Sequence, residues 1–188
     1  MRKTLLRIAS LVLLAVVAVS LCVPAFAEEV SPEAAAQAKD GKRVYFAAPL
    51  FNEAERAYNL KIVSILEEYG YEVFLPQRDG FLAVELEGLT EEEKTAKIFQ
   101  KDTDEVLKAD IIFIMLDGMN PDEGACVELG IAYASGKRCY GFKNDARAAE
   151  KDMDLNPMIA GCLSKIFYNL NGEQLIEELR AYLESDAL

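Results

Sequence analysis

The chain has no histidine and no tryptophan in 188 residues. Without histidine there is no Ser-His-Asp triad, no Cys-His pair and no His-ligated metal site, so acid–base work falls to carboxylates, Tyr, Lys or Cys. Cysteine is scarce: Cys22 lies in the N-terminal segment, and Cys126, Cys139 and Cys162 follow. Three thiols without a CxxC signal neither a disulfide framework nor a zinc site. They read as buried free thiols, with one disulfide in an oxidising compartment as the alternative. The phosphate-cradling patterns GxGxxG and GxxxxGK[ST] are missing, which removes the dinucleotide and P-loop readings. Positive charge is also short, with 20 basic against 32 acidic residues and a net charge of −12. An acidic chain does not suit a nucleic-acid backbone, which needs a basic face. It suits small, neutral or weakly charged molecules.

What is present begins with a targeting pattern. Arg2, Lys3 and Arg7 precede an apolar run from Leu11 to Val19, and Ala25-Phe26-Ala27 is a small-x-small cleavage site. Residues 1–27 therefore read as a signal peptide that directs export to the periplasm or outside the cell. The alternative is an uncleaved N-terminal membrane anchor, because the apolar span approaches bilayer length. Leu21 is bulky where a lipoprotein signal before Cys22 wants a small residue. Cleavage would take the net charge to −15, since three basic and no acidic residues leave. Residues 28–42, rich in Ala, Glu and Lys, read as a flexible leader. Residues 43–188 are then one catalytic-sized domain with enough apolar side chains for a core.

Strands and helices alternate along that domain. RVYFAA (43–48) is the first strand and Pro49 stops it. A helix runs from Asn52 to Tyr69, with Ala57, Leu60, Ile62, Val63, Ile65 and Leu66 at helical spacing and Gly70 as its stop. YEVFL (71–75) is the second strand, PQRDG (76–80) a turn, and residues 81–91 a longer loop. Thr90 and Glu93 make a capping box for a helix or helix pair reaching Lys108. Asp110–Leu116, Arg138–Phe142 and Lys165–Tyr168 are further strands. Helices follow at Pro121–Ser135 and Glu173–Leu183. Residues 143–161 form a polar loop with a helical piece. Such alternation predicts an α/β fold with a flavodoxin-like doubly wound, five-stranded parallel sheet of order 2-1-3-4-5 and helices on both faces. Its crevice lies at the carboxyl ends of strands 1 and 3. Tyr45, Asp117, Asp122 and Glu128 would converge there.

Chemistry concentrates in ADIIFIMLDGMNPDEGACVELGIAYASGK, residues 109–137. Glu128 stands between Val127 and Leu129 in the helix after a buried strand, which makes it the candidate nucleophile. The helix N-terminus is expected to favour its anionic form. Asp102, Asp122 and Tyr45 complete a His-free set. Paired carboxylates with opposite protonation preferences are the means of cleaving a glycosidic bond: one meets the anomeric carbon and the other protonates the leaving group. Each residue also has a plain reading. Any acid can be a surface charge, Asp122 can simply cap its helix, Asp102 can lie on an exposed helix face, and Tyr45 can be core packing.

VYFAAPLFNEAERAYN, FLPQRD, the Asp102-to-Asp110 spacing, DEGACVELGIAYASGK and NPM together resemble the nucleoside 2-deoxyribosyltransferase family, over roughly residues 43–168. The resemblance implies a deoxyribosyltransferase that moves 2-deoxyribose between purine and pyrimidine bases through a covalent glycosyl–Glu128 intermediate. It implies that Tyr45 holds the nucleophile, that Asp102 exchanges a proton with the base, and that Asp122 lines the sugar site. Asn156, with Met158 beside it in NPM, would reach the sugar from a neighbouring subunit of a homo-oligomer. The base would lie among Phe46, Leu50, Phe51 and the Gln77-Arg78-Asp79 turn, although Phe46 reads better as core. No metal or organic cofactor is implied, and the partners are deoxynucleosides and free bases rather than polymers.

Two rivals stay open. Relatives with the same Tyr–Asp–Glu set hydrolyse deoxynucleoside 5′-monophosphates, for which Lys143, Arg147 and Arg78 could supply phosphate donors. A non-catalytic nucleoside-binding domain is the third reading. Retention of all four site residues argues against it, because binding alone needs no buried nucleophile.

Overall fold

The computed structural model describes residues 41–148, 153–185 and 188. The expected signal segment, residues 1–27, and the leader as far as residue 40 lie outside them. Five strands form one sheet: β1 (Arg43–Ala47), β2 (Glu72–Phe74), β3 (Ile111–Met115), β4 (Arg138–Lys143) and β5 (Lys165–Tyr168). All four pairings are parallel and the order is β2-β1-β3-β4-β5, as the alternating pattern predicts. The helices are α1 (Glu53–Glu68), α2 (Pro76–Asp79), α3 (Glu91–Lys108), α4 (Glu123–Ala134), α5 (Pro157–Ala160) and α6 (Gly172–Glu184). Among the described residues, no helix is long and apolar enough to cross a membrane.

The period-2 geometry of each strand sends alternate side chains to two different cores. Val44 and Phe46 of β1 face one way, joining Phe113, Phe142 and Phe167 under α1 and α6. These rings stack in sequence, with centroids 5.1 Å apart for Phe113–Phe142 and 5.2 Å for Phe142–Phe167. Tyr45 and Ala47 face the other way, among Val106 of α3 and Ala125, Leu129 and Ala132 of α4. Phe46 is fully buried, which answers its sequence ambiguity in favour of core.

Local signals set the helix ends. Asn52 caps α1 and Thr90 caps α3, each in a reciprocal box with Glu55 and Glu93. From the second of these, residues 91–108 run as a single helix rather than a pair. Two expectations need correcting. Leu60 is 47% exposed and Ala57 is also exposed, so neither belongs to the buried stripe of α1, which is Ile62, Val63, Ile65 and Leu66. The PQRDG turn is a short helix, started by Pro76 at its first turn.

One glycine is required by close approach. A Cβ on Gly141, in the middle of β4, would come within 2.5 Å of Leu116 Cδ1 and 3.1 Å of Leu163 Cδ1. Overfilling a packed core costs about 1–3 kcal/mol. Gly141→Ala is therefore expected to lower stability by that amount in denaturant unfolding, without changing the slope of the transition.

Candidate active site

The site is assembled from three elements. Tyr45 sits on the middle strand neighbour of β3, is wholly buried, and its ring stacks on Phe74 of β2 at 5.4 Å. Its Oη donates a 2.6 Å hydrogen bond to Glu128 Oε1 on α4. Asp102 comes from α3, which packs against both α4 and β1. Its Oδ1 is buried with no hydrogen-bond partner among the described residues. Asp122 caps α4, its Oδ2 accepting from the Ala125 N–H at 2.9 Å. The capping reading of Asp122 thus holds, while its charge still reaches Glu128.

Burial dominates the electrostatics. Desolvation pushes the Glu128 carboxyl up to about 8; the Tyr45 hydrogen bond opposes this, and the charges of Asp102 and Asp122 reinforce it. Desolvation also raises Asp102 to about 6, against the pull of Lys101. The Tyr45 phenol is driven far above its ordinary range, first by burial and then by Glu128 and Asp102, so it acts as a fixed donor. The expectation that the helix N-terminus favours anionic Glu128 is therefore overturned. Glu128 lies six residues beyond the Asp122 cap, and the dipole effect fades within the first turn.

Beside this cluster, at the carboxyl ends of β1 and β3, lies a cleft of about 550 Å³ whose lining includes Phe51, Tyr58, Asp117, Asn120, Asp122 and Arg147. Phe51 is 74% exposed at its mouth. The other residues named from sequence sit differently. Leu50 is half-buried, and its carbonyl accepts from Arg56 Nη1 at 3.0 Å. Gln77 is engaged internally: it accepts from Asn59 Nδ2 at 2.9 Å and donates to the Arg56 carbonyl at 3.0 Å. Asp79 accepts from the Leu75 N–H and pairs with Arg78. Asn156 caps α5 by accepting from the Met158 N–H, and Met158 is 79% exposed.

The sequence reading passed over two buried polar residues, Asn59 and Glu105, and named Lys143 without its burial. Asn59 donates to the Pro49 carbonyl at 2.8 Å and fixes the exit of β1. Lys143 is 2% exposed, and its Nζ donates to the Arg147 carbonyl at 2.8 Å. Glu105 is 6% exposed and lies one helical turn beyond Asp102. Its spacing to Lys101 and Lys108 was visible as an ion-pair pattern, but its burial was not. Among the described residues no group of three or more His, Cys, Asp or Glu side chains is placed to hold a metal ion.

A doubly wound α/β domain carrying a tyrosine-bound carboxylate and a second acid with one oxygen buried, without histidine, has the makings of a glycosidic-bond enzyme. The chain belongs to the nucleoside 2-deoxyribosyltransferase family, whose sequence model matches residues 44–180. That family is enzymatic, working by glycosyl transfer or hydrolysis on nucleosides and nucleobases. Among solved structures, the 2-deoxyribosyltransferase of the psychrotolerant bacterium Bacillus psychrosaccharolyticus is 27% identical, with a TM-score of 0.59 over 74% of this chain and 91% of that one. A conserved protein from Enterococcus faecalis V583 is 25% identical, with a TM-score of 0.59 over 74% of this chain and 98% of that one. The CMP N-glycosidase of Clostridium botulinum shares the fold, at 21% identity and a TM-score of 0.52 over 75% of this chain and 99% of that one. No curated protein sequence matches the chain.

Both raised carboxyls make stability fall as pH rises. The folded state holds these protons more tightly than the unfolded chain, whose carboxyls titrate near about 4. The stabilisation is complete below that value and is lost as pH climbs through about 6 for Asp102 and about 8 for Glu128. Glu128→Gln is expected to gain stability over the parent as pH rises from 5 to 8, at up to about 1.4 kcal/mol per pH unit. Thermal unfolding at several pH values measures this, and a pH-independent difference would refute it.

Proposed function

We propose that the chain is a nucleoside deoxyribosyltransferase that works by double displacement through Glu128. The observation that carries this reading is the 2.6 Å Tyr45–Glu128 hydrogen bond beside the unpartnered, buried oxygen of Asp102. With values of about 6 and about 8, the two carboxyls hold one proton between them near neutral pH. At rest that proton lies on Glu128, the group with the higher value; the productive arrangement moves it to Asp102 and leaves Glu128 anionic to receive the Tyr45 O–H.

The steps balance within the pair. A Glu128 oxygen bonds to C1′ as the C1′–N bond breaks, and the base nitrogen takes the proton from Asp102. An incoming base then attacks C1′ from the vacated side and loses its proton to Asp102, and the Glu128 carboxylate departs. Two inversions give retention. Phe51 at the cleft mouth, with Leu50 next to it in sequence, offers apolar surface to the base, Asp122 borders the sugar, Gln77 fixes α2 against α1, and Asp79 holds the start of α2 through the Leu75 N–H. Asn156 and exposed Met158 fit the contribution of one protomer of a homo-oligomer to its neighbour's site. The N-terminal pattern supports an exported enzyme.

A neutral nucleoside fits better than a 5′-monophosphate. The cations a phosphate would need are already engaged: Lys143 is buried on the Arg147 carbonyl, Arg147 pairs with Asp145, and Arg78 pairs with Glu67 and Asp79. Asp117 and Asp122 face the same cleft.

Incubating the protein with deoxyinosine and free cytosine should yield deoxycytidine by chromatography, and Glu128→Ala should abolish it. Free hypoxanthine without exchange would move the assignment to hydrolysis; turnover by Glu128→Ala would refute the nucleophile. The kcat/KM profile should be bell-shaped, with limbs near 6 and 8. Tyr45→Phe removes a hydrogen bond to a charged acceptor, worth about 1.5–3 kcal/mol, and should slow exchange by about 10- to 150-fold.

A further inference from the structure

Phe74 is the last residue of the short edge strand β2 and pairs in register with Tyr45. The two rings stack, with centroids 5.4 Å apart and planes 22° from parallel. The opposite core has a whole run of ring contacts, through Phe46, Phe113, Phe142 and Phe167. The cluster around Tyr45 is built instead from side chains such as Val106, Ile112, Ala125 and Leu129, and among the described residues Phe74 is its one other ring. Phe74 is only half-buried. It lines a polar cavity of about 290 Å³ together with Arg43, Arg78, Asp79, Lys101 and Glu105, and the Lys101 ammonium lies 5.0 Å from its ring centroid. Tyr45 does not line that cavity and is fully buried.

We propose that Phe74 is a positioning residue whose ring holds the Tyr45 ring at the tilt that aims Oη at Glu128. This inference rests on the transferase reading, in which Glu128 must give up its resting proton and meet C1′ as a carboxylate. A hydrogen bond is directional and weakens steeply as its angle departs from linear. Offset stacking has a preferred separation and tilt, so it fixes the orientation of a ring where aliphatic contacts fix mainly its volume. The stack on Phe74 therefore keeps the phenol in line for its 2.6 Å bond to Glu128 Oε1. Plain packing has no such need of an aromatic at a half-buried position on an edge strand.

The consequence falls on the ionisation of Glu128. The hydrogen bond from Tyr45 on β1 favours its charged form, against burial and against the charges of Asp102 from α3 and Asp122 at the cap of α4. Substituting Phe74 removes neither acid. Lys101 offers the other route by which Phe74 could act, since its ammonium lies over the ring and its charge pulls on Asp102. The two routes are separable. An effect through the stack requires the Tyr45 hydroxyl, and an effect through Lys101 does not.

The test is a double-mutant cycle of Phe74→Leu and Tyr45→Phe in the full chain. It is read by base exchange and by carbon-13 carboxyl NMR of Glu128, assigned with Glu128→Gln. In the parent background Phe74→Leu should lower kcat about three- to tenfold with KM nearly unchanged, the range that one aromatic pair supplies. It should raise the Glu128 midpoint by about half to one pH unit. With Tyr45→Phe already present, Phe74→Leu should change neither quantity. Phe74→Tyr keeps the ring and should stay close to the parent in both. Should Phe74→Leu unfold, Phe74→Met takes its place in the cycle, because its flexible side chain fills the space without a flat face. Equal losses in both backgrounds, an unchanged kcat, or a Glu128 midpoint that falls, as entry of water would make it, would overturn the proposal and leave Phe74 a packing residue. The NMR titration needs no turnover. Absence of exchange in the parent would therefore count against the transferase reading, while the Glu128 titration would still decide the role of Phe74.

Discussion

Everything at the candidate site depends on the Tyr45–Glu128 hydrogen bond, because it ties the sheet to the helix layer through two polar groups at the edge of an otherwise apolar contact. A phenol and a carboxyl buried together cost free energy unless they satisfy each other. Here they do so at 2.6 Å. The bond needs Tyr45 on the α3/α4 side of β1, and that is decided by register. The pairings Tyr45↔Ile112 and Tyr45↔Phe74 hold the strand in phase on both flanks. A slip of one residue would turn Tyr45 into the aromatic core and present Phe46 to Glu128. The stacked Phe113, Phe142 and Phe167 on the opposite face therefore act on the site indirectly, by making such a slip costly.

The second constraint is a surplus of acid in a small volume. Glu128, Asp102 and Asp122 lie close enough for their charges to interact, and no cation bonds to any of them directly among the described residues. Mutual repulsion and desolvation then keep at least one proton in the cluster at neutral pH. Cations are present nearby but are held elsewhere. Arg43, Lys101 and Lys108 gather on Glu105, Arg147 on Asp145, and Lys143 on a backbone carbonyl. This segregation separates a site that can store and move a proton from one whose carboxylates are permanently ionised.

The loops at the carboxyl ends of β3 and β4 are tied to each other rather than to the reacting groups. The Asn144 N–H donates to Asp117 Oδ1 at 2.6 Å, and the Gly118 N–H donates to Asp145 Oδ2 at 2.9 Å. Gly118 adopts φ +105°, and a Cβ there would meet the Asn120 carbonyl oxygen at 2.9 Å, so this turn requires glycine. The crossed pair of bonds holds one wall of the cleft as a unit and places Asp117 inside it.

The sequence by itself determined the alternation of strands and helices, the strand order that follows from it, and the pairing of Tyr45 with Glu128 as members of one site. Periodicity, caps and turn residues are local, and local chemistry writes them directly into the chain. It also marked Thr90 as a helix start, since a capping box needs only residues three apart. Tertiary structure alone decided the protonation balance. Whether Glu128 is ionised depends on how much water α3 and β1 exclude from it, which no neighbour in sequence reports; the dipole argument failed for that reason. The folded backbone likewise decided that Gln77 bonds to α1 and Asp79 to the Leu75 N–H, and that Leu60 does not join the core. It also turned Glu105 from one acid among many on an amphipathic helix into the collecting point for three cations, because Arg43 reaches it only across the sheet–helix interface.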